Sequence, residues 1–207
     1  MLFHRFRLGE LLTNSYLVAD EETKNAVIFD APDNAEKVVE YLNENNLKLK
    51  KILLTHAHFD HILALKPLME ITGAECILHE LEEKYLTSPD LNLAGDRASE
   101  VGIPDSYTLI KENDIITVDG LNIKVIHTPG HTVGSVCYLV NDTTLISGDT
   151  LFSGSIGRFD FPLGSFEDEI SSIKNKLMIL DDEVKVCPGH GFSTTIGKQR
   201  KDNPYLI

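Results

Sequence analysis

The chain has 207 residues, 42% apolar and 25% charged, which is ordinary globular usage and enough to bury a sizeable core as one domain over residues 1–207. Its net charge of −13 argues against nucleic-acid partners, because phosphate binding depends on Lys and Arg. No apolar run approaches the roughly 18 residues that cross a bilayer, so no membrane span is expected.

The opening Met1-Leu2-Phe3-His4-Arg5-Phe6-Arg7 lacks the long apolar stretch of a secretory signal and reads as a first strand, near 2–7, with His4 structural. Further strands are expected near 13–19 and 25–30, with Tyr16 in the core and its hydroxyl near a rim. A helix from Asn34 to Asn45 carries Val38, Val39 and Leu42 at helical spacing, and Asp33-Asn34 offers an N-cap. A strand near 50–54 leads into Thr55-His56-Ala57-His58-Phe59-Asp60-His61, and a helix follows to Thr72, with Gly73 as its C-cap. Residues 75–78 suit a strand. His79 opens a helix as a surface or capping residue, and Asp20-Glu21-Glu22 and Glu80 to Glu83 read as solvated acidic faces. Residues 87–106 lack periodicity and read as a surface loop and lid near the site. Strands dominate 107–148. A helix from Phe166 to Leu180 places Phe166, Ile170, Ile173 and Leu177 on one stripe. Cys76, Cys137 and Cys187 lie in strand-like runs and read as buried thiols, which points to a reducing cytoplasm.

The His-rich stretch carries the chemistry. Alternate side chains of an extended segment face one way, so His56 and His58 can reach one point. Asp60 and His61 follow where the chain turns into a helix and can reach a second point close by. The same grammar recurs downstream: an apolar strand, a small-residue turn, then a metal-binding side chain. It gives His131 after Thr128-Pro129-Gly130, Asp149 after Ser147-Gly148, and His190 after Pro188-Gly189. A structural zinc needs four ligands. Seven candidates, His56, His58, Asp60, His61, His131, Asp149 and His190, suit two ions that share one carboxylate and keep positions for water. Imidazole and carboxylate accept zinc first, and iron or manganese as well. His127, four residues before His131, is expected to support the site without binding metal.

These motifs, together with Gly148-Asp149-Thr150-Leu151-Phe152 and Pro188-Gly189-His190-Gly191, resemble the metallo-β-lactamase superfamily, and within it the glyoxalase II (hydroxyacylglutathione hydrolase) branch. The resemblance runs from Thr13-Asn14-Ser15-Tyr16-Leu17 to Asn203-Pro204-Tyr205-Leu206. It implies an α/β fold, an αββα sandwich of two mixed β-sheets packed face to face with helices outside, and a site at one edge of the sheets. It implies that His56, His58 and His131 hold one ion, that Asp60, His61 and His190 hold the other, and that Asp149 bridges them. The superfamily's true β-lactamases place a Cys where Asp149 stands, which argues against that activity. The chain ends about 17 residues after His190, without the helical extension that grips glutathione in full-length glyoxalase II enzymes, and so resembles a short single-domain subgroup. Gly154-Ser155-Ile156-Gly157-Arg158-Phe159-Asp160-Phe161-Pro162 points to the same subgroup, with Phe159 where many relatives carry Thr or Ser.

The function implied is a dinuclear metal-dependent hydrolase that cleaves a small thioester or ester, of the S-lactoylglutathione kind. Water between two divalent ions is acidic enough to supply hydroxide near neutral pH. Asp60 is the expected catalytic carboxylate, orienting that nucleophile. Arg158 is either a loop anchor or a contact for a substrate carboxylate. The runner-up is a persulfide dioxygenase with a single iron. A third reading is a protein that binds metal without turnover. Oligomeric state is left open.

Overall fold

The computed structural model describes all of residues 1–207. Its first half builds one six-stranded sheet: β1 (Leu2–Leu8), β2 (Thr13–Ala19), β3 (Asn25–Phe29), α1 (Ala35–Glu44), β4 (Lys48–Leu53), α2 (Phe59–Ile62), α3 (Leu65–Thr72), β5 (Glu75–His79), α4 (Glu83–Thr87) and β6 (Thr108–Ile110). The strands lie in sequence order, antiparallel from β1 to β3 and parallel from β3 to β6. The second half builds the other: β7 (Ile115–Val118), β8 (Leu121–His127), β9 (Val136–Val140), β10 (Thr144–Gly148), the small hairpin β11 (Leu151–Phe152) and β12 (Ser155–Ile156), α5 (Phe166–Ser172), β13 (Lys185–Pro188), β14 (Thr194–Thr195) and α6 (Ile196–Asp202). Its order is β14-β13-β10-β9-β8-β7, with β10 and β13 parallel. This is the expected αββα sandwich.

Strand alternation makes the layers. Tyr16, Val18, Val27, Phe29 and Leu53 point inward from the first sheet and meet Ile123, Val125, Tyr138, Val140 and Ile146 of the second. Their neighbours Leu17, Ile28 and Ile52 point outward onto Val38 and Leu42 of α1 and Leu65 and Leu68 of α3. On the far side, Cys137, Leu139, Leu145 and Val186 pack under Ile173, Leu177 and Ile196. Each sheet is therefore apolar on both faces, which explains why its strands read as nearly continuous apolar runs. All three cysteines are free and buried, as expected.

Several boundaries differ from the sequence reading. The helix after the His-rich stretch is broken between Ile62 and Leu65, where the backbone N–H of Ala64 donates to Ala31 instead of continuing the helix (2.9 Å). Gly73 ends α3 in the left-handed conformation as expected (φ 69°). Asn34 does not cap α1 with its side chain: its own φ is 52° and its N–H goes to Asp33 Oδ1 (2.6 Å). The Phe166–Leu180 helix is α-helical only to Ser172 and continues as a π turn, Ile173–Leu177. Phe166 leaves the buried stripe and packs on Phe159 at the surface (4.8 Å between centroids). No helix is long and apolar enough to cross a membrane.

Candidate metal centre

The ends of β3, β4, β10 and β13 converge at one edge of the sandwich, and hydrogen bonds lock the two sheets together there. Val136 N–H donates to Thr55 O (2.9 Å), Asn14 N–H to Gly189 O (2.6 Å), and the Tyr16 hydroxyl to Pro188 O (2.8 Å). Tyr16 is thus fully buried, and its hydroxyl fastens the turn that carries His190.

All seven expected ligands meet at this edge. Their atoms form three overlapping groups, His56/His58/His131, His56/His61/Asp149 and Asp60/His61/His190, each with its ligand atoms within 4.8 Å of one another. Asp149 reaches both ends of the cluster: Oδ1 lies 3.5 Å from His61 Nε2, and Oδ2 lies 3.5 Å from His190 Nε2 and 3.8 Å from His131 Nε2.

The imidazoles are held in a definite sense. His61 Nδ1 donates to Asp30 Oδ2 (2.9 Å), and His131 Nδ1 donates to Arg158 O (2.7 Å). Thr55 Oγ1 donates to Asp30 Oδ2 (2.8 Å), so its lone pair receives His56 Nδ1–H (3.1 Å). With the proton on Nδ1, each ring turns an Nε2 lone pair inward, the tautomer a metal requires. His56 Nε2, His61 Nε2 and Asp149 Oδ1 are buried with no hydrogen-bond partner. Native structures rarely tolerate such orphans, and cations would satisfy them. Glycine clears the space: a Cβ at Gly189 would collide with Asp149 Oδ1 and lie 2.8 Å from His61 Cε1.

Electrostatics divides the cluster in two. Burial first, then neighbouring imidazoles, lowers the pKa of His56 and His58, the latter to about 3, and burial lowers that of His131. These three rings stay neutral: His56 Nε2 and His58 Nε2 have no partner, and His131 Nε2 accepts from His58 Nδ1–H (2.9 Å). At the other end, burial opposes charge on His61, but Asp60, Asp30 and Asp149 outweigh it and raise its pKa well above the usual range. A cation seated there would take over the role of that proton. Burial also works against ionisation of Asp60, yet His61, His190 and the Thr13 hydroxyl (2.8 Å) hold its carboxyl below its usual range.

Three buried acidic side chains that support the cluster were not identified from sequence. Asp30 holds His61, the Thr55 hydroxyl and Thr55 N–H (2.7 Å). Glu82 accepts from Ala57 N–H (2.9 Å), Gly134 N–H (2.9 Å) and the Thr132 hydroxyl, tying the His56–His58 segment to the His131 loop. Its place in the supposed solvated stretch Glu80–Glu83 is a correction: the side chain is buried, and burial pushes its carboxyl up to about 7. Glu169 accepts His131 N–H (2.8 Å), and burial pushes its carboxyl up to about 9.

His79 and His127 lie outside the cluster. His79 does cap, accepting from Leu81 N–H (3.3 Å), but it is buried, not on the surface. It stacks on His127 (4.1 Å between centroids), whose Nε2 donates to Val133 O (2.9 Å) and steadies the loop after His131. Leu93 of the 87–106 loop lines the cavity over the cluster, and Asn92 O accepts Phe59 N–H (2.7 Å). Arg158 lines the same cavity, and its backbone carbonyl orients His131.

Comparison with known proteins agrees with this construction. The model of the metallo-β-lactamase superfamily matches residues 8–190. The chain belongs to that superfamily. It is 36% identical over 200 residues to the hydroxyacylglutathione hydrolase GloC of Haemophilus influenzae, covering 93% of this chain and 92% of that one. Among solved structures it is similar to the BLEG-1 B3 metallo-β-lactamase, with a TM-score of 0.92 and 36% identity over the whole of both chains. It is also similar to TTHA1623, solved in a di-iron-bound form, with a TM-score of 0.84 and 35% identity over 98% of this chain and all of that one.

Proposed function

We propose that this protein is a metal-dependent hydrolase that holds two divalent ions and cleaves an acyl thioester. The observation that carries the reading is the convergence of seven ligand side chains, with the tautomers of three imidazoles fixed by their partners, at the floor of an open cavity of about 340 Å³. His56, His58 and His131 would hold one ion, Asp60, His61 and His190 the other, and Asp149 would serve both. The di-iron form of TTHA1623 supports a two-ion occupancy, and the similarity to GloC supports a thioester as substrate. Zinc, iron and manganese all suit these ligands.

When bound, the ions supply an acidified water and polarise the substrate carbonyl. The chain's own residues do the rest. Asp60, fixed by the Thr13 hydroxyl and kept ionised, is a hydrogen-bond acceptor at the cavity wall and orients the attacking water. The thiolate then leaves without a dedicated acid, because a thiolate is only weakly basic. The buried framework of Asp30, Glu82 and Glu169 keeps the ligands in place through turnover.

The test is a substrate panel with the metal-loaded protein: thioesters including S-lactoylglutathione, oxygen esters and a chromogenic β-lactam, the last because of the similarity to BLEG-1. Thioester hydrolysis that is abolished by chelation and restored by metal supports the proposal. Preferential opening of the β-lactam, or no thioester hydrolysis at full metal content, refutes it.

A further inference from the structure

The cavity above the cluster offers a substrate little charge to grip. Its walls are Leu11, Phe59, Leu93, Phe152, Ile156 and Phe161. Arg158 is the one Lys or Arg among its lining residues, and it is already engaged. Its guanidinium lies over the Phe161 ring (4.0 Å to the centroid) and gives two bonds to Asp160, Nε to Oδ1 at 3.0 Å and Nη2 to Oδ2 at 2.8 Å. This is the paired geometry a substrate carboxylate would otherwise adopt. Arg97, over the outer face of Phe59 (5.6 Å), is likewise bound by Glu100 at 2.7 and 3.1 Å and lies 3.8 Å from Glu10. Around both, the chain as a whole carries −13, which repels anions at long range. Leu11, half-exposed at the lip, extends the apolar wall outward.

Resting on the thioesterase reading, we propose that the part of the substrate remote from the scissile bond is uncharged and apolar, and that Asp160 sets this preference by occupying the cation a carboxylate-bearing thiol would need. Asp160 is a positioning residue that acts through Arg158. The pair is exposed, so it biases Arg158 against a carboxylate only several-fold, and its removal frees Arg158 without dismantling the loop, whose carbonyl contact with His131 comes from the backbone.

The test uses two non-cleavable thioethers of equal alkyl length, S-hexyl-N-acetylcysteamine and S-hexylglutathione, bound to the metal-loaded protein and followed by calorimetry. The neutral ligand is expected to bind at least about tenfold more tightly. Asp160→Asn is expected to narrow that gap by tightening the glutathione ligand several-fold, and the double variant Asp160→Asn/Arg158→Gln to reopen it. With the matching hexanoyl thioesters, the Asp160→Asn effect falls on KM and not on kcat. Equal or tighter binding of the glutathione ligand, an equal shift of both ligands in Asp160→Asn, or no binding of either overturns the inference. Failure to hydrolyse any thioester while this ranking of ligands holds removes the thioesterase reading and leaves the cavity preference standing.

Discussion

Asp30→Asn separates ligand positioning from ligand identity. One oxygen of Asp30 accepts Thr55 N–H at 2.7 Å, and the other accepts both the Thr55 hydroxyl at 2.8 Å and His61 Nδ1–H at 2.9 Å. An asparagine can keep the first bond, but its amide NH₂ then faces two donors. The hydroxyl can rotate away. The cheapest response of His61 is to move its proton to Nε2, which removes the lone pair a metal needs. His56, oriented through the same hydroxyl, loses its anchor in the same step. Loss of an outer-shell partner typically weakens metal affinity about 10- to 100-fold, or ~1.4–2.7 kcal/mol. Asp30→Ala would in addition leave buried donors unpaired at about 1–3 kcal/mol each and endanger folding, so the isosteric change is the cleaner probe. The assay is a competition titration of metal-free protein against a chelator of known affinity, with circular dichroism to confirm the fold. Wild-type affinity in a folded Asp30→Asn protein would refute the argument that Asp30 sets the tautomer of His61.

Asp60→Ala is expected to lower kcat by about 10²-fold or more; wild-type turnover at full metal content would take Asp60 out of the mechanism. Gly189→Ala is expected to fold yet lose metal, because its Cβ would clash with Asp149 Oδ1 and push that carboxylate aside; metal analysis of purified protein with wild-type content would contradict this. The Glu169 carboxyl is raised to about 9 by burial, so its protonated form is the stable one in the fold, and its contribution, complete below about pH 4.5, fades as pH climbs toward 9. Glu169→Gln keeps the acceptor for His131 N–H and mimics that protonated acid, so its melting temperature should exceed the wild-type value at pH 8.5 and approach it at pH 5. An advantage independent of pH would contradict the assignment. Glu82→Gln should instead melt several degrees lower near pH 5, since every partner of Glu82 is a donor and an amide NH₂ opposes one of them, and the deficit should shrink by pH 8.5, because a carboxyl raised to about 7 loses its contribution as pH climbs past that value.

The side chains of the candidate site were legible in the sequence because each follows a simple local rule. His56 and His58 alternate on extended chain, and Asp149 and His190 follow a strand and a glycine. Their outer partners follow no such rule. Glu82 reaches residues 25 and 52 positions away, and Glu169 reaches His131 across 38. A lone acid inside Glu80–Glu83 looks like surface until the fold buries it. Asp30 did carry a signal, since Ala26-Val27-Ile28-Phe29-Asp30 is an apolar strand ending in a carboxylate, the same grammar as the strand before Asp149. The pairing of Arg158 with Asp160 was open to inspection as two opposite charges two residues apart, but only the fold sets the Arg158 guanidinium over Phe161 at the cavity. The break at Ile62–Leu65 and the π turn at Ile173–Leu177 are tertiary effects, one from the bond of Ala64 to Ala31 and the other from packing against the second sheet, so periodicity could not mark them.

The most direct test of the two-ion centre is anomalous diffraction from crystals of protein loaded with zinc or iron. Two peaks about 3.5–4 Å apart are predicted, one within reach of His56, His58 and His131, the other within reach of Asp60, His61 and His190, with Asp149 between them. A single peak at full metal loading, or peaks elsewhere on the molecule with these seven side chains turned away, would contradict the account.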